Sequence, residues 1–433
     1  MGIRDMLLLT LIGVATLTAL GRPWIGVLAW NWVSFMNPHR LSWTLRELPA
    51  AQLTAIGTLV GLILTRQRRL PPFRAETVIL VCLVLLFTVG TLFAWERSAA
   101  VVQLEKVLKI YLFLFVTMML IYERYRIRML MLVTIASVGF FGVKGGLFAI
   151  LTGGNFRIWG PPGSFIADNN AIGLALAMIL PLALYAARAE SNKYLRWGLY
   201  STFWLTIPAI LFTYSRGAFL AIIATLCVIG WQHKKAAAVV GLAMLVGLAA
   251  SPAILPDAWI ERQKTTLTYE TDRSAMTRIQ AWGVAWNVAR ESPLVGAGFR
   301  FNYAEDERWL SYAPFVESWA SSSRAAHSIY FQMLGEHGFL GLGLFLALMS
   351  VTFVRLGRLY RTCTGDDDRW IGQYARGAQL ALVPYAVAGA FLSLAYFDLF
   401  YALVVFSVIL DRERAAVVAK VGAPSKAAPV NSV

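Results

Sequence analysis

His327 stands two residues ahead of a long apolar run, 329–354, and directly after the longest hydrophilic stretch of the chain, 251–326. An imidazole titrates near neutral pH, so it can accept a proton from a hydroxyl or orient one for attack. An ionisable side chain at the mouth of an apolar helix costs energy unless a cavity or a partner receives it, which favours a functional role over a packing one. Ser328 follows it, and Gly338 and Gly341 lie further along the same run. Glu336 and His337 fall deeper and on another helix face, as packing or network residues, while His39 and His233 look incidental.

Cations gather around this histidine in the topological scheme below. Arg216, in Tyr214-Ser215-Arg216-Gly217, sits in a turn too tight for anything but a sharp reversal between two apolar segments. Its guanidinium offers permanently charged, bidentate donors matched to phosphate oxygens. Arg157 lies in a Gly/Pro-rich loop, 153–163, whose backbone needs water or protein partners and so cannot face lipid as a helix. The loop continues to Asp168 and Asn169, which either cap the next helix or contact a ligand. Within the hydrophilic stretch, 275–290 reads as a helix carrying Arg278, Trp282 and Trp286 at i, i+4, i+8. Such tryptophans suit a membrane interface or the face of a sugar.

These residues need a scaffold, and composition supplies its class. The 433 residues are 58% hydrophobic and 15% charged, with mean hydropathy +0.61. That balance excludes an ordinary soluble domain. Segments long enough to approach the roughly 30 Å of a hydrocarbon core recur along the chain. Twelve spans are expected, at 6–20, 51–65, 78–93, 104–122, 129–151, 171–187, 197–212, 218–231, 236–250, 329–354, 377–394 and 397–410. The first lacks a small-x-small cleavage pattern and reads as an anchor.

Basic clusters at 66–74, 124–128, 188–196, 234–235, 355–361 and 412–414 mark the cytoplasmic side, with both termini there. Counting 23–36 as a span would invert this order, so it is expected to be re-entrant or interfacial. The scheme places Lys106, Lys144, Arg157, Arg216, His327 and the 251–326 loop on the opposite side, which is normally depleted of positive charge. Their joint placement points to an anionic ligand. The expected organisation is nine spans in 1–250, the loop at 251–326, three spans in 327–411, and a flexible tail at 412–433. Cys82, Cys227 and Cys363 show no metal or disulfide pattern. No Asp-x-Asp pair or His/Cys cluster stands on the ligand side, so neither metal nor cofactor is expected, and no nucleic-acid partner.

The pattern His327-Ser328, nine residues, Gly338, two residues, Gly341 resembles the O-antigen ligase and polymerase superfamily, and the resemblance covers most of the chain. Arg216 and Arg278 look like that family's arginines, although Arg273, Arg290 and Arg300 share the loop with Arg278. The run from Lys144 to Asn170 is similar to ligases found beside exosortase systems. The resemblance implies an all-α polytopic inner-membrane protein with about twelve transmembrane helices, a large periplasmic loop and a GT-C-like architecture. It implies a bacterial glycosyltransferase that moves a glycan from undecaprenyl diphosphate to the lipid A-core oligosaccharide, with membrane lipids as the other partners and a monomer as the working unit. His327, Arg216 and Arg278 would be catalytic. Arg157, Lys106, Lys144, Asp168, Asn169, Ser328 and Trp282 would bind substrate. A polymerase, a protein O-glycosylation ligase and a lipid-linked sugar transporter are the alternatives.

Overall fold

The computed structural model describes residues 2–232 and 273–421, and among these the regular structure is helical, with no strand. In chain order the α-helices are α1 (Ile3–Gly21), α2 (Pro23–Met36), α3 (Ala50–Leu64), α4 (Ala75–Leu92), α5 (Arg97–Leu120), α6 (Glu123–Leu151) and α7 (Asn169–Ala189). They continue with α8 (Lys193–Leu211), α9 (Arg216–Gln232), α10 (Arg273–Glu291), α11 (Asp306–Leu310), α12 (Ile329–Thr362), α13 (Arg369–Gly389) and α14 (Asp398–Val421). Each expected span overlaps a helix except 236–250, which lies outside the described residues, as do 251–272 and most of the tail. Among the described residues five helices, α1, α4, α6, α7 and α12, are long and apolar enough to cross a membrane, as expected of a polytopic membrane protein.

Helix starts follow ordinary capping chemistry, in which a side-chain oxygen takes up orphan N–H groups of the first turn. Asn192 accepts from Tyr194 and Leu195 at the start of α8, and Ser328 accepts from Phe331 at the start of α12. Pro23 occupies the first position of α2, where its missing N–H costs nothing. That helix is packed within the bundle: Val27, Leu28, Ala29, Val33 and Phe35 are buried and Trp30 stacks on Phe113 at 4.3 Å. Of the two expected placements of 23–36, re-entrant or interfacial, a surface-lying interfacial piece would leave one of these faces open.

The centre of the molecule is α7, buried on nearly every side from Ala171 to Ala187 and packed against α13, α8, α6 and α9. Small residues let neighbouring backbones close in, the usual source of helix cohesion in lipid. At Gly146 of α6 a Cβ would lie 1.8 Å from the Leu205 carbonyl oxygen of α8, so the contact exists only because that side chain is a hydrogen.

A second, smaller core joins α10 to the segments after it. Ala281, Val284, Ala285 and Val288 of α10 pack with Ala297, Phe301 and Trp309. Gln280 donates to the carbonyls of Phe315 (2.8 Å) and Ala320 (2.9 Å), and Asn287 donates to that of Tyr312 (2.9 Å). The sequence places a helix at 275–290, and α10 is that helix.

This small core is keyed into α12. The helix breaks at His337 (φ −136°, ψ 15°) and Gly338 (φ 65°, ψ −168°). The segment 293–298 fills the break: Ala297 N–H donates to Gly335 O (2.9 Å), Gly298 N–H to Glu336 O (3.0 Å), and Phe339 N–H to Pro293 O (2.8 Å). Backbone groups that the kink would orphan are thereby satisfied from outside the helix, as burial requires.

Candidate functional site

The residue after Ala326 turns the chain sharply: His327 has φ 45°, in the left-handed region, and its N–H donates to Ser393 Oγ at 2.9 Å. The turn is braced from α10, where Trp282 Nε1 donates to Ala326 O at 2.7 Å and the indole stacks on Phe331 at 5.0 Å with the planes 6° apart. One face of Trp282 is therefore committed to positioning His327. Ser328 is buried, and its hydroxyl is the helix cap already described.

Desolvation by the surrounding protein and then the Arg278 guanidinium hold the His327 pKa below the ordinary histidine value, against the opposing pull of the Asp168 carboxylate. The ring is consequently neutral near pH 7, with a lone pair able to take a proton. The capping reading of Asp168 holds, and the residue also borders a cavity. It caps α7, accepting from Asn170 N–H (2.9 Å) and Ala171 N–H (3.1 Å), and it lines a cavity while acting electrostatically on His327.

The loop before α7 is tied to the α8–α9 turn that carries Arg216. Asn169 is buried and donates from Nδ2 to Thr213 O at 2.9 Å, Ile158 N–H donates to Phe212 O at 3.0 Å, and Tyr214 donates to Gly154 O at 2.9 Å. The Arg157 guanidinium lies 5.6 Å from the Tyr214 ring centre and 5.8 Å from that of Trp159. Ser215 caps α9 by accepting from Ala218 N–H at 3.2 Å, which makes Arg216 the first residue of that helix. A Cβ on its neighbour Gly217 would be in ordinary contact, 3.8 Å, with Ala388 near the end of α13 and with Phe391 on the connection that also carries Ser393.

A cavity of about 330 Å³ opens beside the turn that leads into His327, lined there by Ala325 and Ala326. Gln103 and Lys106 of α5, Asp168, Arg300, Glu336 of α12, Ser393 and Tyr396 all line it. Lys106 Nζ sits 3.6 Å from the centre of the Phe165 ring, and Arg300 donates to Gln103 Oε1 through two nitrogens (3.2 and 2.9 Å) and to the Tyr303 hydroxyl (3.0 Å). A second cavity of about 600 Å³ adjoins the first, sharing Lys106, Gly163, Ser164 and Phe165. Its wall is mainly apolar, from Val33, Ala55, Ile56, Leu59, Ile110 and Phe113, with Arg40 and Lys109 beside Lys106.

The charges of Arg278 and Asp168 thus act on His327, and Asp168 and Lys106 line the first cavity together with Ala326, the residue before His327. Asn169, Ser328 and Trp282 hold backbone in place. Arg157 stacks by the Tyr214 turn, and Lys144 is exposed on α6 and lines neither cavity. Gln103, Ser393 and Tyr396 are not marked as site residues by any motif in the sequence, and Arg300 stands there only as a competitor of Arg278. One available signal was Asp398, an acid inside the apolar run 377–410, which lines the second cavity. Among the described residues no group of three or more His, Cys, Asp or Glu is placed to hold a metal ion.

Residues 201–346 match the family model described as O-antigen ligase, which supports placement in the O-antigen ligase superfamily. Residues 3–191 match a family described as of unknown function. No curated protein matches the chain. Among solved structures, a chain from "Structural coordination of polymerization and crosslinking by a peptidoglycan synthase complex" aligns at 20% identity with TM-score 0.40, over 78% of this chain and 96% of that one.

Proposed function

We propose, on the premise that residues 201–346 carry an O-antigen ligase domain, that this membrane protein is a lipid-linked glycosyltransferase. It moves a preassembled glycan from undecaprenyl diphosphate to a hydroxyl of the lipid A-core oligosaccharide, at the periplasmic face of the bacterial inner membrane. The observation that carries this reading is a histidine under the charges of Arg278 and Asp168, directly after Ala326, which lines a cavity walled by Lys106 and Arg300 and joined to a largely apolar one. Such a pair suits a ligand with a charged head and a hydrocarbon tail.

In this mechanism His327 takes the proton of the acceptor hydroxyl as its oxygen bonds to the anomeric carbon. The bond from that carbon to the diphosphate oxygen breaks on the opposite face, so the centre inverts. Arg216 and Arg278, with Lys106 and Arg300, neutralise the charge that grows on the leaving diphosphate, an electrostatic contribution largest in a site shielded from water. Arg157 and Lys144 lie further out and help attract the anion. The polyprenyl chain occupies the apolar cavity.

The test is reconstitution of the purified full chain with undecaprenyl-diphosphate glycan and O-antigen-free lipopolysaccharide, following the glycan on each lipid by gel. Glycan on lipopolysaccharide supports the ligase; lengthening of the lipid-linked glycan makes the protein a polymerase. Arg216→Lys keeps the charge and loses the fork, so transfer is expected to fall about 10²–10³-fold. Near-normal transfer by that variant would mean that Arg216 only anchors its turn. Because the cations take the place of a divalent ion here, EDTA is expected to leave the rate unchanged. Abolition by EDTA with recovery on adding magnesium would overturn that part.

A further inference from the structure

The lining of the cavity carries two kinds of group. Lys106 and Arg300 supply positive charge, while Glu336, Gln332, Gln103 and Asn302 supply a carboxylate and three amides. Glu336 is buried, yet it borders the open space. Its carboxylate accepts from the Tyr396 hydroxyl at 2.5 Å and from Arg300 N–H at 3.1 Å, and it is hydrogen-bonded by Gln332. In its ionised form the carboxylate has about four acceptor positions, which leaves about one for a group in the cavity.

That carboxylate is also held still. His337 Nε2 lies 2.7 Å from the Tyr396 hydroxyl, which is thus held between the imidazole and Glu336. Gln332 is fixed in turn, accepting Ala395 N–H through Oε1 at 3.2 Å. The Arg300 guanidinium hydrogen-bonds Gln103 and Tyr303, while its charge acts on Glu336 without a direct side-chain hydrogen bond to it. A rigid acceptor of this kind repels phosphate and favours a hydroxyl donor. Phe301, Phe165 and the Tyr396 ring add apolar surface for the C–H face of a pyranose.

We propose that the part of this cavity lined by Glu336, Gln332, Gln103 and Asn302 is a sugar subsite. It reads the hydroxyls of the donor sugar joined to the diphosphate, with Glu336 as the specificity-determining residue. The inference rests on the ligase reading for the identity of its ligand. The cations hold the diphosphate, and the acid and amides hold the ring attached to it. The volume of about 330 Å³ is near the lower end of small-molecule sites, which suits one ring rather than an extended glycan.

The experiment compares two polyprenyl-diphosphate sugars that differ in one hydroxyl of the first ring, natural and deoxy, and also sugar-free polyprenyl diphosphate. Binding to the purified full chain in nanodiscs is measured without acceptor for the native protein, Glu336→Gln and Asn302→Ala; KM and kcat follow with acceptor. The native protein is expected to prefer at least one natural sugar over its deoxy form. Glu336→Gln is expected to weaken natural-sugar binding about 10- to 100-fold and erase that preference. It should raise KM more than it lowers kcat and keep affinity for sugar-free polyprenyl diphosphate. Preserved preference in Glu336→Gln overturns the subsite. If that variant fails to fold, Asn302→Ala decides, its unchanged preference counting against the proposal. A native protein that binds with preference yet transfers nothing would sink the ligase reading and leave the subsite standing.

Discussion

His327→Ala is expected to lower glycan transfer by about 10²–10⁴-fold, the range for loss of a positioned general base, while donor binding persists. The separation of effects follows from location: His327 stands at the exposed turn before α12, and the cationic wall of the cavity is built from other elements. The pH profile tests the assignment further. Because the histidine pKa is lowered, the base form already dominates at neutral pH, so the rate should rise with pH through an acid limb below the ordinary histidine value and then level. Arg278 is a cause of the lowering and Asp168 opposes it. Arg278→Gln should therefore move the limb to higher pH, and Asp168→Asn to lower pH, whatever each does to the maximal rate. A limb that stays put in both variants, or survives in His327→Ala, would remove His327 from the proton transfer.

Gly338→Ala is expected to damage both stability and transfer. Gly338 has φ 65° and ψ −168°, a region essentially restricted to glycine. An added Cβ would lie 2.4 Å from Pro293 O and 2.6 Å from Pro293 C, atoms of the segment that fills the break in α12. Moving that segment away would strain the bonds Ala297–Gly335, Gly298–Glu336 and Phe339–Pro293. Backbone strain of about 1–3 kcal/mol and lost hydrogen bonds of about 1 kcal/mol each set the scale, several kcal/mol together. Transfer should fall as well, since the displaced segment leads directly to Arg300, and Glu336 stands at the break.

Gly343 is the internal control. It lies in the same helix with nothing within 4 Å of its would-be Cβ, so Gly343→Ala should be neutral or stabilising by up to about 1 kcal/mol. Thermal unfolding of both variants in one detergent, beside the transfer assay, decides the matter. Equal melting and equal activity for Gly338→Ala and Gly343→Ala would mean that the break in α12 has no role.

The sequence by itself determined what is local. Apolar runs require helices of membrane character, the 275–290 periodicity requires α10, an Asp before 169–170 can cap a helix, and Ser215-Arg216-Gly217 between two apolar runs requires a turn. The spacing from His327 to Gly338 and Gly341 was legible as a pattern while its physical meaning was not. Gly338 serves a kink that residues 293–298 enter from outside, and a Cβ on Gly341 would meet His337 Cβ at 2.3 Å. The site's inner walls depended on tertiary structure altogether. Gln103 meets Arg300 across 197 residues, Tyr396 meets Glu336 across 60, and Lys144, grouped with the other cations by the charge pattern, faces outward on α6. Periodicity and capping act within a few residues, so one segment reveals them. Which side chains share a cavity depends on how all the helices pack, and no single segment carries that information.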